Sequence, residues 1–372
     1  MKKSTNSELI FTTSEDDKIC IIDDCMVIKY GSKRNTLITS WYNGGYNENI
    51  KTVFNHSISD KEYLKIKDNN YETYLKNIAY KLNIYPKYTT GVMTSASMDN
   101  ISISTKKYKD IEVTSIVTAG TKHTGIQAGD PASFYEHDNK FTMKPGTINT
   151  FILINSYLNE NSLLIASITA TEAKTVALRQ SKVPSKYSSN LASGTGTDSI
   201  CIMSNMESSN KLDNAGKHSK LGELIGKSVI EATINALKLE NKFDSDYQCS
   251  VLSRLERYNI DFYDFYSWIE DSLNIAEFGV LLYPFIDDEY NVGWISSILN
   301  IYDEIQVGLI SKDIGEILIL DLIKMNTKFK DYNLSSKLNI LDYLVYSIVY
   351  KITKNKNIKL NKKEKIEFHL ED

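Results

Sequence analysis

Three segments in the central third of the chain carry its most distinctive sequence patterns: IASITATEAKTVALRQ (residues 165–180), GTGTDSICI (194–202) and GKHSKLGELIGKSVIEA (216–232). Each combines an apolar run or a glycine-rich turn with polar residues at the expected end of an element. Backbone N–H groups and short side chains converge on ligands at such ends. We therefore expect the ligand site in this third of the chain or just before it.

Composition narrows the class of protein. The 372-residue chain has a formal net charge of −4, which gives no sign of the basic face that nucleic-acid binding requires. No run approaches the ~18 apolar residues of a membrane span, and the N-terminus lacks the apolar core of a signal peptide. The four cysteines form neither a CxxC pair nor a disulfide framework. We expect a cytoplasmic protein without nucleic-acid or membrane partners, able to form a homo-oligomer.

The first 155 residues read mainly as strands. Short β-branched runs between Ser, Asp, Gly and Asn clusters predict strands over residues 8–55. Helical spacing after an Asn cap predicts a helix over 69–84. Strands return over 89–117 and at TFILIN (150–155). Between these two, an irregular loop is expected over 126–146, carrying Asp130, Glu136, His137 and Asp138.

The central third alternates strands and helices. A strand is predicted over 162–170, followed directly by a helix over 171–180. A Ser/Gly/Thr loop (185–199) leads into the strand ICIMSN (200–205). Helical spacing of apolar residues then predicts a helix from His218 to about Leu239.

The chain changes character after Asn241. Residues 243–372 are tyrosine-rich and show broad apolar helical faces, so we place a domain boundary after residue 242. We predict an α+β domain with a mixed, partly antiparallel sheet covered by helices, followed by an all-helical C-terminal region. GxGxxG is absent, so a Rossmann dinucleotide site is not expected.

Five segments occur in the order of a known family: SIVTAGT (115–121), PGTINTFILIN (145–155), ITATEAKTVAL (168–178), GTGTDSI (194–200) and GKHSKLGELIGKSVIEA (216–232). They resemble the adenosylcobinamide amidohydrolases, the CbiZ family of corrinoid salvage. The Gly44–Gly45 pair and VFNHS (53–57) resemble the N-terminal part of that family. By their residue types alone, the two glycines make either a tight turn or a close approach to a ligand.

The resemblance covers about residues 35–240 and implies a reaction. The enzyme would hydrolyse the amide that joins a corrin side-chain carboxyl to aminopropanol in adenosylcobinamide, giving adenosylcobyric acid. The cobalt-containing corrinoid would be the substrate, and no separate cofactor is predicted. Residues 243–372 fall outside the resemblance, and their role stays open.

Three ionisable residues are candidates for amide hydrolysis, which needs a base, oxyanion stabilisation and a proton for the amine. Glu172 is expected at a helix start, as base or as a favourable first-turn acid. Asp198 could be a base, a metal ligand or the anchor of a ligand-facing loop. His218 could donate a proton near neutrality, or face solvent before its helix. His56 is a lesser candidate.

Our preferred mechanism is water-mediated, with Glu172 or Asp198 as base, His218 as acid and backbone amides of 118–121 and 194–197 around the oxyanion. A threonine nucleophile, Thr171 or Thr197, is second. A metal site is third because no ligand pair has metal-type spacing. The predicted substrate-binding residues are Thr118, Gly120, Thr121, Asn149, Thr169, Thr171, Gly194, Thr195, Gly196, Thr197, Lys220 and Glu223.

Two other functions use the same pattern. A corrinoid-binding protein that does not hydrolyse would also need the Gly/Thr loops and apolar strands. In a bifunctional protein, residues 243–372 would bind or regulate something separately. The set Glu172, Asp198 and His218 would distinguish the enzyme, because a binder has no need of three proton-transfer groups, although two of the three could be structural. The enzyme is favoured mainly by the family resemblance.

Overall fold

The computed structural model describes residues 7–66, 70–132, 135, 146–328, 339–356 and 358–361. The chain divides into two compact units between Asp244 and Ser245. All of the described strands belong to the first unit.

The first sheet, sheet A, has five strands in the order β1 (Ser7–Thr12), β2 (Lys18–Ile22), β3 (Cys25–Lys29), β6 (Thr52–Ser57) and β7 (Thr89–Thr94). β6 and β7 are parallel, and the other neighbours are antiparallel. The crossover between β6 and β7 contains α1 (Asp60–Tyr63) and α2 (Tyr71–Lys81). Helix α2 confirms the helix predicted there, and the side chain of Asn70 caps it by accepting from the Thr73 amide.

The second sheet, sheet B, has six strands in the order β5 (Gly45–Asn47), β4 (Arg34–Ile38), β14 (Ser199–Asn205), β11 (Ile148–Ile154), β9 (Ile111–Ala119) and β8 (Ser102–Tyr108). Only β11 and β14 are parallel in it, so the sheet is mixed. Two short pairs lie outside the large sheets: β10 (Gly125–Ile126) with β13 (Gly194–Thr195), and β12 (Tyr157–Leu158) with β15 (Lys211–Leu212).

The first unit is a stack of four layers. Helix α2 covers one face of sheet A, sheets A and B pack face to face, and helices α3 (Glu160–Gln180) and α4 (Lys220–Asn241) cover sheet B. Strand β11 shows why both faces of sheet B are buried, since successive side chains of a strand point to opposite faces of its sheet. Phe151 and Leu153 pack towards sheet A, whereas Ile152 and Ile154 pack under the helices.

Helix α3 corrects the strand predicted over residues 162–170. It is continuous from Glu160 to Gln180, and the side chain of Asn159 caps it by accepting from the Ser162 amide at 2.9 Å. Its buried positions recur every three or four residues, which is the helical period: Leu163, Ala166, Ala170, Ala173 and Ala177. The β-branched residues of this run suggested a strand, but the small buried residues let α3 pack closely on α4. Glu172 therefore lies inside a helix and not at its start.

The regular elements of the second unit, in its described residues, are all helices. Its helices are α5 (Ser245–Gln248), α6 (Val251–Leu255), α7 (Phe262–Tyr266), α8 (Ile275–Ile286), α9 (Glu289–Gln306), α10 (Lys312–Thr327) and α11 (Ile340–Thr353). They share one core, in which Phe265, Phe278 and Ile295 are fully buried. The length and apolarity that a membrane-crossing helix needs are not found together in any helix of the described residues. The predicted fold, a mixed sheet covered by helices and followed by a helical region, is confirmed.

Candidate functional site

A pocket opens at one end of the two-sheet stack, where strands of both sheets begin or end. Its volume is about 30 Å³, which is room for a water molecule. The end of β4, the second half of β7 and the starts of β11 and β14 form its walls. The polar side chains that line it are Thr39, Ser40, Tyr63, Thr94, Ser95, Thr147, Thr197 and Ser199. Among the described residues its lining therefore contains hydroxyls but no carboxylate or imidazole.

A buried amide network ties the two sheets together beside this pocket. Asn149 Nδ2 donates to Asn55 Oδ1 at 2.8 Å and to the Met93 carbonyl at 3.0 Å. Asn55 Nδ2 donates to Thr118 Oγ1 at 3.0 Å. Asn55, Asn149 and Thr118 are buried, so each polar atom needs a protein partner. Because Met93 lines the pocket, the network fixes the wall that β7 contributes.

Asp198 anchors the Gly/Thr loop. Its Oδ1 accepts from Thr195 Oγ1 at 2.6 Å and from the Ile148 amide at 3.0 Å, and its Oδ2 accepts from the Thr195 amide at 3.0 Å. Oδ2 also pairs with Lys174 Nζ from α3; Lys174 is buried, and the side chain of Asp198 is 12% exposed. Gly194 leaves room for this ion pair, since a Cβ there would lie 2.3 Å from Asp198 Oδ2. This geometry is that of a loop anchor, while a role for Asp198 in proton transfer stays a prediction.

Two threonines beside Asp198 present hydroxyls to the pocket. Thr147 Oγ1 donates to the Thr197 carbonyl at 2.6 Å, and Thr197 Oγ1 donates to the Gly146 carbonyl at 3.0 Å. These reciprocal bonds hold the start of β11 against the start of β14. Each hydroxyl keeps acceptor capacity and can rotate its proton towards a ligand.

Three aromatic rings stand at the mouth of the pocket, and we call them the aromatic stack. Trp41 lies 4.9 Å from Tyr71 between ring centroids, at an interplanar angle of 29°. Tyr63 lies 6.4 Å from Tyr71 at 23°. Trp41 and Tyr63 line the pocket, and Trp41 is 50% exposed.

The structure does not gather the three predicted proton-transfer residues around the pocket. Glu172 is exposed on α3 and pairs with Lys217, the neighbour of His218. His218 is exposed in the turn before α4, whose N-cap is Ser219. Asp198 alone adjoins the pocket, through Thr197. Across the described parts of the chain, no three His, Cys, Asp or Glu side chains form a group that could hold a metal ion.

Four predicted substrate-binding residues lie on the two helices that cover sheet B. The hydroxyls of Thr169 and Thr171 donate to backbone carbonyls at 2.9 and 2.8 Å. Lys220 and Glu223 form an ion pair in the first turn of α4. Hydrogen bonds from Lys220 and then Lys227 lower the pKa of Glu223 to about 2. None of these four lines the pocket, so their binding role stays a prediction.

Four of the backbone amides predicted around the oxyanion already have partners. The Gly120 amide donates to the Thr147 carbonyl, and the Thr121 amide donates to Asn241 Oδ1, both at 3.0 Å. In the second loop, the Thr195 amide bonds Asp198, and the Thr197 amide bonds Thr195 Oγ1 at 3.4 Å. Partly buried amides require such partners, and these four do not form an open oxyanion hole in this structure. Gly196 is exposed at the tip of its loop.

His56 points away from the pocket. It follows Asn55 on β6 and therefore faces the opposite side, towards α2. Its Nδ1 lies 3.3 Å from Cys25 Sγ and its Nε2 lies 2.9 Å from Tyr74 Oη. Burial lowers the pKa of His56 below its ordinary value.

Sequence reasoning missed Asn55, Trp41 and Tyr63. The sequence did contain a signal for Asn55: an asparagine at an inward-facing position of the strand run TVFNHS needs a hydrogen-bond partner within the core. Trp41 follows the strand run TLITS, where an exposed indole is a frequent contact residue. Tyr63 carried no signal that distinguished it from the other tyrosines of the chain.

The fold and the pocket define an α+β domain with a small, hydroxyl-lined site at the ends of its strands. The family model for adenosylcobinamide amidohydrolase (CbiZ) matches residues 9–245, and the chain belongs to this family. The uncharacterized protein MJ1613 of Methanocaldococcus jannaschii is 32% identical over 229 residues, which are 58% of this chain and 87% of that protein. The crystal structure of the PH0078 protein from Pyrococcus horikoshii OT3 matches 64% of this chain and 83% of its own at 12% identity. Its TM-score of 0.31 is too low to carry an argument.

Proposed function

We propose that this protein hydrolyses the aminopropanol amide of adenosylcobinamide, releasing adenosylcobyric acid and aminopropanol for corrinoid salvage. Family membership over residues 9–245 is the observation that carries the proposal. The pocket supports it, because threonine hydroxyls at strand ends can bind a secondary amide on both its carbonyl and its N–H. The four unpaired cysteines are typical of a reducing compartment, and we place the reaction in the cytoplasm.

Thr197 is our first choice among the two threonines considered as nucleophile. It lines the pocket, whereas Thr171 sits on an exposed face of α3. In this route Thr197 Oγ1 attacks the amide carbon, and the hydroxyl proton passes to the departing amine. Aminopropanol is released, and the acyl group of the corrinoid stays bound to Oγ1 as an ester. Water then cleaves the ester, which restores the hydroxyl and releases the carboxylic acid.

Water-mediated hydrolysis is the competing route. Here Thr147 and Thr197 would hydrogen-bond the carbonyl oxygen while a base activates water. Glu172, Asp198 and His218 remain the proposed proton-transfer residues for this route. Glu136, His137 and Asp138 lie outside the described residues.

The first experiment incubates the purified 372-residue chain with adenosylcobinamide and measures both products by mass spectrometry. Thr197→Val abolishes turnover if Thr197 is the nucleophile, and an ester mass on the wild-type chain identifies that route. A loss of only about 10²–10³-fold, with no ester, supports a hydrogen-bonding role. Thr171→Val tests the second threonine: wild-type activity would exclude Thr171 both as nucleophile and as a substrate contact.

Chelator is added in a parallel arm because we propose that no separate cofactor is required. Activity that survives chelator would support this, because the reaction would then involve no metal other than the cobalt of the substrate. Activity lost with chelator and restored by a divalent metal would contradict it.

A corrinoid-binding protein without hydrolysis is the second candidate function. The observation that favours it is the absence of a carboxylate or imidazole from the described pocket lining. Tight binding of adenosylcobinamide without either product would select this function over the enzyme.

A further inference from the structure

One ring of the aromatic stack, Trp41, is exposed and lies on a turn that hydrogen bonds hold in place. Trp41 is 50% exposed, yet both of its neighbours are held. Ser40 Oγ donates to a carbonyl of β7 at 2.6 Å, and Tyr42 Oη donates to a carbonyl near the start of β7 at 2.5 Å. The turn that follows is tight, because a Cβ at Gly44 would lie 1.9 Å from the Ser40 carbonyl oxygen. An indole held in this way loses little freedom when a ligand binds.

The second ring supports the first from behind. Tyr71 is 4% exposed, begins α2 and lies 4.9 Å from Trp41 between centroids. Tyr63 continues the stack, and its hydroxyl lies 3.3 Å from that of Tyr71. Offset parallel rings with centroids ~4.5–7 Å apart attract one another, so the stack resists rotation of the indole. The exposed half of Trp41 is thus a flat apolar surface beside the pocket mouth.

The pocket behind this surface is too small to take in a corrinoid. Its volume of about 30 Å³ is room for a water molecule and lies far below the ~300–1,000 Å³ of a drug-sized ligand site. A corrin ring with its peripheral amides and axial adenosyl group therefore has to bind at the mouth, where half of Trp41 is exposed.

We propose that Trp41 is a specificity-determining residue whose indole stacks on a flat π system of the corrinoid, the corrin macrocycle or the adenine of its axial ligand. The amide of the substrate would then lie at the mouth, near the partly exposed Thr197. This inference rests on the proposed function, because it takes the corrinoid as ligand. Stacking acts on the bound substrate and the transition state alike, so Trp41 contributes to Kd and KM and not to kcat.

The test measures Kd by equilibrium dialysis with adenosylcobinamide and with cyanocobinamide, which lacks adenine, together with KM and kcat. Trp41→Ala should raise Kd and KM about tenfold, which corresponds to ~1.4 kcal/mol. Trp41→Phe should stay within about threefold, and Trp41→Leu, apolar but not aromatic, should lose affinity as alanine does. A loss of affinity for both ligands would show that the indole stacks on the macrocycle. A loss for adenosylcobinamide alone would show that it stacks on adenine.

Tyr85→Ala is the matched control. Tyr85 is 68% exposed and stacks on Tyr88 at 5.5 Å, but it does not line the pocket, so its removal should leave Kd unchanged. Wild-type Kd and KM in Trp41→Ala and Trp41→Leu, with intact circular dichroism, would overturn the inference and leave the proposed function standing. A wild-type chain that neither binds nor hydrolyses either corrinoid overturns the proposed function itself.

Discussion

Replacing Lys174 with methionine isolates the ion pair that anchors the Gly/Thr loop. The change keeps an unbranched apolar chain but removes the cation from Asp198 Oδ2. The two side chains are only 8% and 12% exposed, so the carboxylate would be left largely buried without its counter-charge. Breaking one side of a buried pair typically costs ~3–5 kcal/mol. Asp198 keeps three hydrogen bonds, from Thr195 Oγ1 and the Thr195 and Ile148 amides, and we expect a loss of ~2–3 kcal/mol.

Lys217→Met is the matched control for this change. Lys217 pairs with Glu172 on α3, but the two side chains are 64% and 48% exposed. Surface ion pairs are worth ~0–1 kcal/mol because water screens them. The control should therefore lower the free energy of unfolding by less than ~0.5 kcal/mol.

Hydrogen exchange of the β11 amides is the suitable assay. A whole-chain melt of a two-unit protein need not be two-state, whereas exchange in a core strand reports the unfolding free energy of the first unit alone. The Thr195 and Ile148 amides give a second, local readout at the anchor. Equal losses in Lys174→Met and Lys217→Met, within ~0.5 kcal/mol, would refute the reasoning that burial makes the first pair important.

Three further predictions use the same exchange measurement. Gly194→Ala forces a Cβ against the Asp198 carboxylate and should cost ~1–3 kcal/mol of unfolding free energy. The control is Gly196→Ala, whose Cβ meets nothing within 4 Å and which should cost little. Equal costs for the two variants would contradict the prediction. Asn55→Leu removes one hydrogen bond from buried Asn149, which keeps its bond to the Met93 carbonyl, and one from buried Thr118. It should cost ~2–3 kcal/mol, so a loss under ~0.5 kcal/mol would contradict the network. Burial lowers the pKa of His56, so the unfolded state binds the proton more readily. The stability that this shift contributes is present above about pH 6.5 and is lost as the pH falls towards the folded-state pKa. Wild type should therefore lose more stability than His56→Gln between about pH 7.5 and 5.5, and parallel losses would exclude His56 as the cause.

Periodicity predicted most elements of the first unit but failed where two signals conflicted. The spacing of Leu221, Ile225 and Val229 identified α4, and these residues are buried in the structure. In the run after Asn159, β-branched Ile and Thr suggested a strand while Ala166, Ala170 and Ala173 repeated at helical spacing. The helix formed because the small residues pack on α4, a contact that local preferences do not contain.

The candidate site was predicted in part for a related reason. The Gly/Thr loop was predicted to face a ligand; its Thr197 lines the pocket, and ligand binding stays a prediction. Glu172 was placed at the pocket on the basis of the strand that proved to be a helix. Asn55 and Asn149, 94 residues apart, meet only because sheets A and B stack.

The sequence by itself determined the family, the order of most strands and helices, and the loop that carries Thr197 and Asp198. Its local patterns suffice for these features because capping, alternation and glycine-rich turns act over a few residues. Only the tertiary structure decided that Asp198 pairs with buried Lys174, that Trp41 stacks on Tyr71, and that Glu172 and His218 lie away from the pocket. These relations depend on how two sheets and their covering helices pack, and packing joins residues that no short stretch of sequence holds together.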